Sequence, residues 1–210
     1  MKHHKIKKNK YKHIMKKILT IILLTVLCST AFAQKWRQFG LKVETNFTLE
    51  RNYANDGTTL VGLMNPDAYF FFRGGKYVYG EIGFGYNFFK GDFSRLNPDG
   101  ITYVFQNETV KLHSLMIPIK LVGYIPLGKV VAIEPYAGII YQPLVSISNN
   151  SIDFSKKTLE QNMLFANAGV DFKFGPIIIG ANYKYGLNTF FTNKEGKKPQ
   201  FINVCVGFQF

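Results

Sequence analysis

The chain has 210 residues, with 26 Lys and Arg against 13 Asp and Glu, which gives a formal net charge of +13. Eight of the bases and none of the acids lie in residues 1–33, so residues 34–210 carry only 18 − 13 = +5. A basic excess gathered in one terminal segment indicates an export signal rather than a nucleic-acid surface. We therefore expect no nucleic-acid partner.

The N-terminal segment has the three parts of a secretory signal peptide. A lysine-rich head precedes the apolar run Ile18–Leu27 and the small-residue site Ala31–Ala33. The apolar run is too short to span a bilayer as a helix. We predict a cleaved signal peptide over residues 1–33, with cleavage between Ala33 and Gln34, and one domain over residues 34–210. Translation from Met15 and a lipid anchor on Cys28 are the competing interpretations.

Beyond the predicted signal, apolar residues recur at every second position, which is the period of β-strands with two different faces. In Val170–Phe174, for example, three apolar residues alternate with two charges. The pattern predicts eight strands, at 37–50, 64–73, 76–90, 109–124, 131–145, 160–174, 176–188 and 200–210. Three short turns, at Arg73–Lys76, Pro126–Lys129 and Gly175–Pro176, alternate with long polar loops at 52–62, 91–108, 146–159 and 189–199.

This arrangement indicates a transmembrane barrel. Short turns on one side, long loops on the other and an even strand count are typical of outer-membrane barrels. Soluble barrels alternate with the same period, but here one parity is large and uncharged, as over residues 115–121, while the other is small and mixed, as at Gly83 and Gly85. We predict an all-β fold, an eight-stranded antiparallel up-and-down transmembrane β-barrel surrounded by outer-membrane lipid. The last strand of a soluble sandwich is the alternative for the C-terminus.

The chain ends on FINVCVGFQF, Phe201–Phe210, its most regular apolar strand. In a membrane this strand must pair with the first one, because lipid tolerates no open sheet edge. A final strand of this kind resembles the signal by which the barrel-assembly machinery recognises its substrates, so we predict Phe208 and Phe210 as a C-terminal insertion signal. The expected location is the outer membrane of a Gram-negative bacterium, reached through the periplasm.

The second half of the chain resembles the PorT-like family of small outer-membrane β-barrel proteins. His113–Lys120 is similar to that family's "yLeIPlllK" strand, and the resemblance continues through Glu134–Gly138, Asn167–Phe191 and the closing strand. It covers residues 111–210 well and the first half only by pattern. Met116 departs from it, since the family commonly has an acid there. The resemblance implies no catalytic motif, and one class within the family is similar to an accessory of a protein-secretion system.

Charged residues gather on the predicted inner face. An eight-stranded barrel is just wide enough for side chains to fill, so these charges must meet, and hydrogen-bonded pairing offsets much of the cost of burying them. We predict a structural charge network in the lumen; a proton or small-ion path is the alternative. The predicted members are Lys42, Glu44, Glu81, Lys120, Glu134, Asp171, Lys173 and Lys184.

Three apparent active-site signals fail on inspection. Gly123–Val130 nearly fits a phosphate-binding loop, but it ends in Val130, where the magnesium-binding hydroxyl belongs, and it joins two strands. His113 and Ser114 are neighbours in a strand, so they point to opposite faces and cannot act as base and nucleophile. One histidine and one cysteine, Cys205, in residues 34–210 are too few for a metal site. We expect no enzyme activity, no cofactor and no metal.

Taken together, these observations favour a non-enzymatic barrel with a filled lumen, whose binding or structural role is carried by long extracellular loops and their protein partners. An accessory component of an outer-membrane protein secretion or assembly machine is the alternative, and a narrow channel is a third. The sequence does not specify what the loops bind.

Overall fold

The structure is a computed structural model that describes residues 37–49, 52–53, 59–62, 65–98, 103–148, 159–192 and 197–210. The predicted signal peptide, its cleavage site at Ala33 and Gln34, and parts of the predicted loops lie outside the described residues. Within the described ranges no helix is long and apolar enough to cross a membrane.

The described chain consists of antiparallel strands. Eight of them are long: β1 (Arg37–Thr48), β4 (Asn65–Gly75), β5 (Val78–Pro98), β6 (Tyr103–Gly123), β8 (Val131–Ile147), β9 (Asn162–Phe174), β10 (Ile177–Gly186) and β11 (Gln200–Gln209). Three are short: β2 (Asn52–Tyr53), β3 (Thr59–Gly62) and β7 (Ile125–Pro126).

The eight long strands form a closed ring. Their order is β5-β4-β1-β11-β10-β9-β8-β6, and the pairing of β5 with β6 closes it. The sequence prediction of an all-β, eight-stranded antiparallel barrel is therefore confirmed. Strand β3 pairs with β5 beyond the segment of β5 that pairs with β4, and β7 pairs with the beginning of β8.

The first and last long strands seal the barrel against each other. Their register runs from Gly40 opposite Gln209 to Thr48 opposite Phe201. The backbone amide of Phe210 donates to the carbonyl of Phe39 at 2.8 Å, and the rings of these two residues stack with centroids 5.1 Å apart. The C-terminal strand thus closes the ring, as lipid surroundings require of a spanning sheet.

Burial alternates along the strands and separates two chemically different faces. On β10 and β11 nearly every second side chain is buried and its neighbours are exposed. The exposed residues are large and apolar, such as Phe70, Leu121 and Val206, whereas many buried residues are charged or carry amides. Apolar side chains outside and polar ones inside are the reverse of a soluble barrel and the arrangement of a membrane barrel.

The predicted loop at 91–108 is wrong over most of its length. Strand β5 continues to Pro98 and β6 begins at Tyr103, with these two residues paired at the end of the hairpin. The predicted loop at 52–62 likewise contains β2 and β3. Backbone pairing continues here although the apolar alternation fades, because ladder hydrogen bonds do not depend on side-chain polarity.

Two of the three predicted turns are shifted. Residues 73–75 belong to β4, and the chain bends at Lys76 and Tyr77. The second bend lies at 127–130, after β7, and the third lies at Gly175 and Pro176 as predicted. We call the end of the barrel that carries these three bends the turn end, and the opposite end the loop end.

Candidate functional site

The inward side chains fall into three groups, which overlap along the barrel axis. Near the turn end, Tyr79, Val122 and Tyr136 make a small apolar cluster. The middle layer is charged and rich in amides. A larger apolar cluster begins at the loop end with Phe89 and Leu112, and it continues among the charged side chains with Tyr69, Phe71 and Ile178.

Arg73 lies on the turn side of the charged layer, two residues before the end of β4, and is fully buried. Its Nε donates to Glu81 Oε2 at 2.5 Å and its Nη1 donates to Glu134 Oε2 at 2.6 Å. Its Nη2 is 3.5 Å from Asp171 Oδ2. A guanidinium has five donors in a fixed planar fork, so one residue ties together strands β4, β5, β8 and β9.

Lys42 extends the network to β1. Its Nζ donates to Asp171 Oδ2 at 2.6 Å and lies 3.9 Å from Glu81 Oε2. The same ammonium lies 5.4 Å from the ring centroid of Phe71 and 5.3 Å from that of Tyr136. Lys42 is therefore surrounded by carboxylates and aromatic faces, both of which attract a cation.

Lys120 on β6 connects two carboxylates through a tyrosine. Its Nζ lies 3.6 Å from Glu81 Oε1 and 3.9 Å from Glu44 Oε1. It also donates to the hydroxyl of Tyr69 at 2.7 Å, and that hydroxyl donates to Glu44 at 3.1 Å. The Tyr69 hydroxyl therefore bridges Lys120 and Glu44, which are too far apart for a direct hydrogen bond.

Lys184 on β10 completes the layer on the loop side. Its Nζ donates to Asp67 Oδ2 at 2.5 Å and to Asn46 Oδ1 at 2.9 Å, and lies 3.2 Å from Glu44 Oε2. Asn87 donates to the Asp67 carboxylate. Buried amides then continue around the wall: Asn46, Asn87, Asn167, Asn182 and Asn203.

Signs are nearly balanced among the buried charges of the described residues, with four bases and five acids. Burying a charge costs several kcal/mol unless good geometry and hydrogen bonds compensate it. The layer satisfies most of its donors through contacts between different strands, so it links walls of the barrel that share no backbone pairing. The bases are Lys42, Arg73, Lys120 and Lys184, and the acids are Glu44, Asp67, Glu81, Glu134 and Asp171.

The family model of the outer membrane protein beta-barrel domain matches residues 19–210. The chain belongs to the outer membrane protein beta-barrel domain family. Membership places this barrel in the outer membrane, so its outward apolar face meets lipid. No curated protein matches the chain.

Two solved structures are similar to this one. The N-terminal β-barrel domain of Pseudomonas aeruginosa OprF is 13% identical, with a TM-score of 0.41, over 82% of this chain and 97% of that one. The translocator domain of the autotransporter NalP from Neisseria meningitidis is 11% identical, with a TM-score of 0.37, over 93% of this chain and 96% of that one.

Seven of the eight charged residues predicted for the lumen lie in the buried layer of this outer-membrane barrel, and Lys173 does not. Lys173 is half-buried, two residues before the Gly175 turn, and within the described part of the chain it makes no ion pair within 4.0 Å. A lysine at the rim of a barrel reaches water with its ammonium while its stem stays covered. The alternation of the strand predicted that Lys173 faces inward, but it did not show that the residue lies at the end of the barrel rather than among the buried charges.

Sequence reasoning missed Arg73 and Asp67. The Gly74-Gly75 pair put Arg73 into a predicted turn, although the residue shares the inward parity of Asp67, Tyr69 and Phe71 on β4. The run from Tyr69 to Phe72 is aromatic on both parities, which hid the alternation. In the register between β4 and β5, Arg73 lies opposite Glu81 and Asp67 lies opposite Asn87. Knowledge of this register would have placed both residues in the lumen, but the local sequence does not determine it.

His113 and Ser114 point to opposite sides of the barrel, as predicted. The side chain of His113 is hydrogen-bonded to the Tyr86 hydroxyl on the outer side, and Ser114 is buried in the lumen. Cys205 is buried too, with Sγ 3.5 Å from Asp171 Oδ1. Over the described ranges, no three His, Cys, Asp or Glu side chains are grouped as a metal site would need.

Proposed function

We propose that this protein is a PorT-like, non-enzymatic outer-membrane barrel whose lumen is closed to ions and whose binding role lies at its loop end. The observation that carries the proposal is the network centred on Arg73, which joins carboxylates from three other strands across the lumen. Side chains suffice to fill a barrel of eight strands. A permeating ion would have to separate these pairs, and that exposes buried charges without partners.

The loop end is the side on which we place binding partners. Strands β5 and β6 extend there as a paired hairpin as far as Pro98 and Tyr103. Rigid barrels commonly carry function on the segments between their strands. The partners we propose at this end are proteins. Among the described residues we find no base and nucleophile that are placed to act together.

Conductance in a planar lipid bilayer tests the closed lumen. The purified barrel should pass no steady current, and the control variant Lys129→Ala, at an exposed bend, should behave identically. Replacing both Arg73 and Glu134 by alanine should allow current, because it removes the central pairs. Reproducible single-channel steps from the unmodified protein, reduced by Glu134→Gln, would establish the narrow channel in place of this proposal.

Export and insertion form the second part of the proposal. We propose that a Gram-negative cell cleaves the signal after Ala33 and that the barrel-assembly machinery recognises Phe208 and Phe210. Deleting Phe208–Phe210 should leave a chain that is exported and cleaved but fails to reach the outer membrane, whereas Phe210→Tyr should insert normally. Fractionation with heat-modifiable gel mobility measures this. Normal insertion of the truncated chain would remove the role given to the two phenylalanines.

Cross-linking in native membranes followed by affinity capture addresses the partners. Contacts made through the loop end should predominate. Stable recovery of components of a protein-secretion machine, cross-linked through the turn end, would instead establish the accessory role.

A further inference from the structure

The lumen contains a cavity at the loop end, directly above the charged layer. Side chains of β1, β5, β6, β8, β9, β10 and β11 line it. Most of the wall is apolar, formed by Phe89, Leu112, Leu144, Met163, Phe165 and Phe201. Aromatic contacts hold this wall in place, with the ring centroids of Phe165 and Phe201 5.9 Å apart.

Two segments at the loop end close part of the top of this cavity. Residues 159–160 precede β9, and residues 190–191 lie between β10 and β11. Leu159 forms a β-bridge with Phe191, and the amide of Glu160 donates to the carbonyl of Phe190 at 2.8 Å. Leu159 and Phe190 are buried and line the cavity, and the Phe190 ring lies 5.5 Å from that of Phe89. The cavity is thus enclosed by strands and by a pinned pair of loop-end segments.

The floor of the cavity is polar. Asn87 and Ser114 are opposite each other on β5 and β6, and Gln142 on β8 donates its Nε2 to Asn87 Oδ1 at 2.8 Å. Ser114 is only 5% exposed. Among the residues that the structure describes, none is hydrogen-bonded to the Ser114 hydroxyl or to the side-chain oxygen of Gln142, and neither atom is fully buried without a partner. Both residues line the cavity, so this floor offers a donor and an acceptor to a bound molecule.

Charges around the cavity favour an uncharged guest. Lys184 reaches the floor, but its ammonium is already bonded to Asp67 and Asn46 and lies beside Glu44. Glu160 lines the same cavity. Among the described lining residues an anion would therefore meet an acidic residue and no unpaired cation, and a cation would lose water to an apolar wall.

We propose that this cavity binds a small uncharged amphiphile, with an apolar body against the phenylalanine wall and one hydroxyl or amide group on Ser114 and Gln142. A hydroxyl both donates and accepts, which matches the two open groups of the floor. The inference adds a ligand site inside the loop end of the barrel to the proposed role of the loops, and it does not depend on whether the charged layer conducts ions.

Benzyl alcohol is a suitable probe because it combines an aromatic body with one hydroxyl and dissolves in water. The folded barrel in lipid nanodiscs, with ¹³C-labelled methionine methyl groups, should show a saturable shift of the Met163 signal on titration. Toluene, which lacks the hydroxyl, and benzoate, which is charged, should bind more weakly. Equal shifts with all three compounds, or shifts that rise without saturation, would mean partition into lipid and would overturn the proposal.

Variants then locate the site. Ser114→Ala should weaken benzyl alcohol binding about 3- to 10-fold, the effect of one lost hydrogen bond, and should leave toluene binding unchanged. Leu144→Trp should abolish binding by filling the cavity, provided that its heat-modifiable gel mobility shows a folded barrel. Ser146→Ala, at an exposed serine on the neighbouring strand β8, is the matched control and should bind normally. Equal binding by Ser114→Ala and Ser146→Ala would place the guest elsewhere.

Discussion

The charged middle of the lumen and its apolar loop end occupy the same barrel but use space differently. In the middle, Arg73 and its partners connect four strands through hydrogen bonds of 2.5 to 3.5 Å. At the loop end, aromatic rings meet at 5.5 to 6.4 Å and leave a cavity between them. The closed barrel fixes the positions of the strands. Long charged side chains can still reach partners across the lumen, whereas the shorter aromatic side chains cannot move together to fill the space between them.

Glycines explain part of the difference. A Cβ atom on Gly85 would lie 2.3 Å from Cβ of Tyr69, and one on Gly40 would lie 2.5 Å from the Phe71 ring. These positions admit the large inward side chains of β4 into the charged half. At the loop end, bulky side chains such as Phe89, Phe165 and Phe201 surround the cavity.

The largest effect is expected from removing the Arg73 guanidinium, which pairs with three buried carboxylates. Arg73→Met leaves the carboxylates of Glu81 and Glu134 buried without their main partner, which should destabilise the barrel by about 3–5 kcal/mol. Urea-induced unfolding in lipid vesicles measures the loss. Lys129→Met, at an exposed bend, is the matched control and should unfold like the unmodified chain. Equal midpoints for the two variants would contradict a structural role for the network.

A smaller effect is expected from crowding the same half. Gly85→Ala would bring a methyl group to 2.2 Å from the Ala68 carbonyl oxygen, so the strand must shift, at a cost of about 1–3 kcal/mol. Gly123→Ala is the control, since its nearest neighbour is 3.4 Å away. Unfolding of both variants in vesicles should separate them, and a silent Gly85→Ala would show that Tyr69 is not fixed.

Coupling between charges should be of similar or smaller size. Lys184 and Asp67 are 2.5 Å apart, so replacing both should cost less than the sum of the single changes. The expected coupling in a cycle of Lys184→Met and Asp67→Asn is about 1–3 kcal/mol. Additive single effects would show that Lys184 depends on Asn46 and Glu44 rather than on this pair.

The smallest effect is expected in the apolar half. Leu144 borders the cavity and is only partly buried, so Leu144→Ala enlarges an existing space. We expect a loss below about 2 kcal/mol, under the range for a fully buried leucine. A loss above that of Gly85→Ala would mean that the loop end is packed as tightly as the charged layer.

Alternation along the chain was sufficient to predict the barrel and the facing of most strands. The pattern at Val170–Phe174, for instance, correctly separates buried Asp171 from exposed Phe172 and Phe174. Membrane strands reveal themselves this way because lipid on one side and a packed lumen on the other impose opposite chemistry on neighbouring residues. The same cause explains the failure at 91–98, where pairing continues but the alternation fades.

The network itself could be predicted only in part. Sequence parity gave candidates such as Lys42 and Glu134, but not that both lie within one cluster organised by Arg73. Arg73 meets Glu134 and Asp171 across separations of 61 and 98 residues. Such contacts depend on strand register and barrel stagger, which are set by the whole closed sheet rather than by any local segment. The cavity was not foreseen, because local sequence does not report unfilled volume.

The most direct test of a lumen divided into a sealed half and an open half is the accessibility of cysteines. Cys205 is buried in the charged half, and it is the one cysteine in residues 34–210. In the folded barrel, a water-soluble methanethiosulfonate should leave Cys205 unmodified until unfolding. It should modify the folded double variant Cys205→Ser/Ser114→Cys faster than Cys205, through the mouth of the loop-end cavity. Equal rates of modification at the two positions would contradict the division of the lumen.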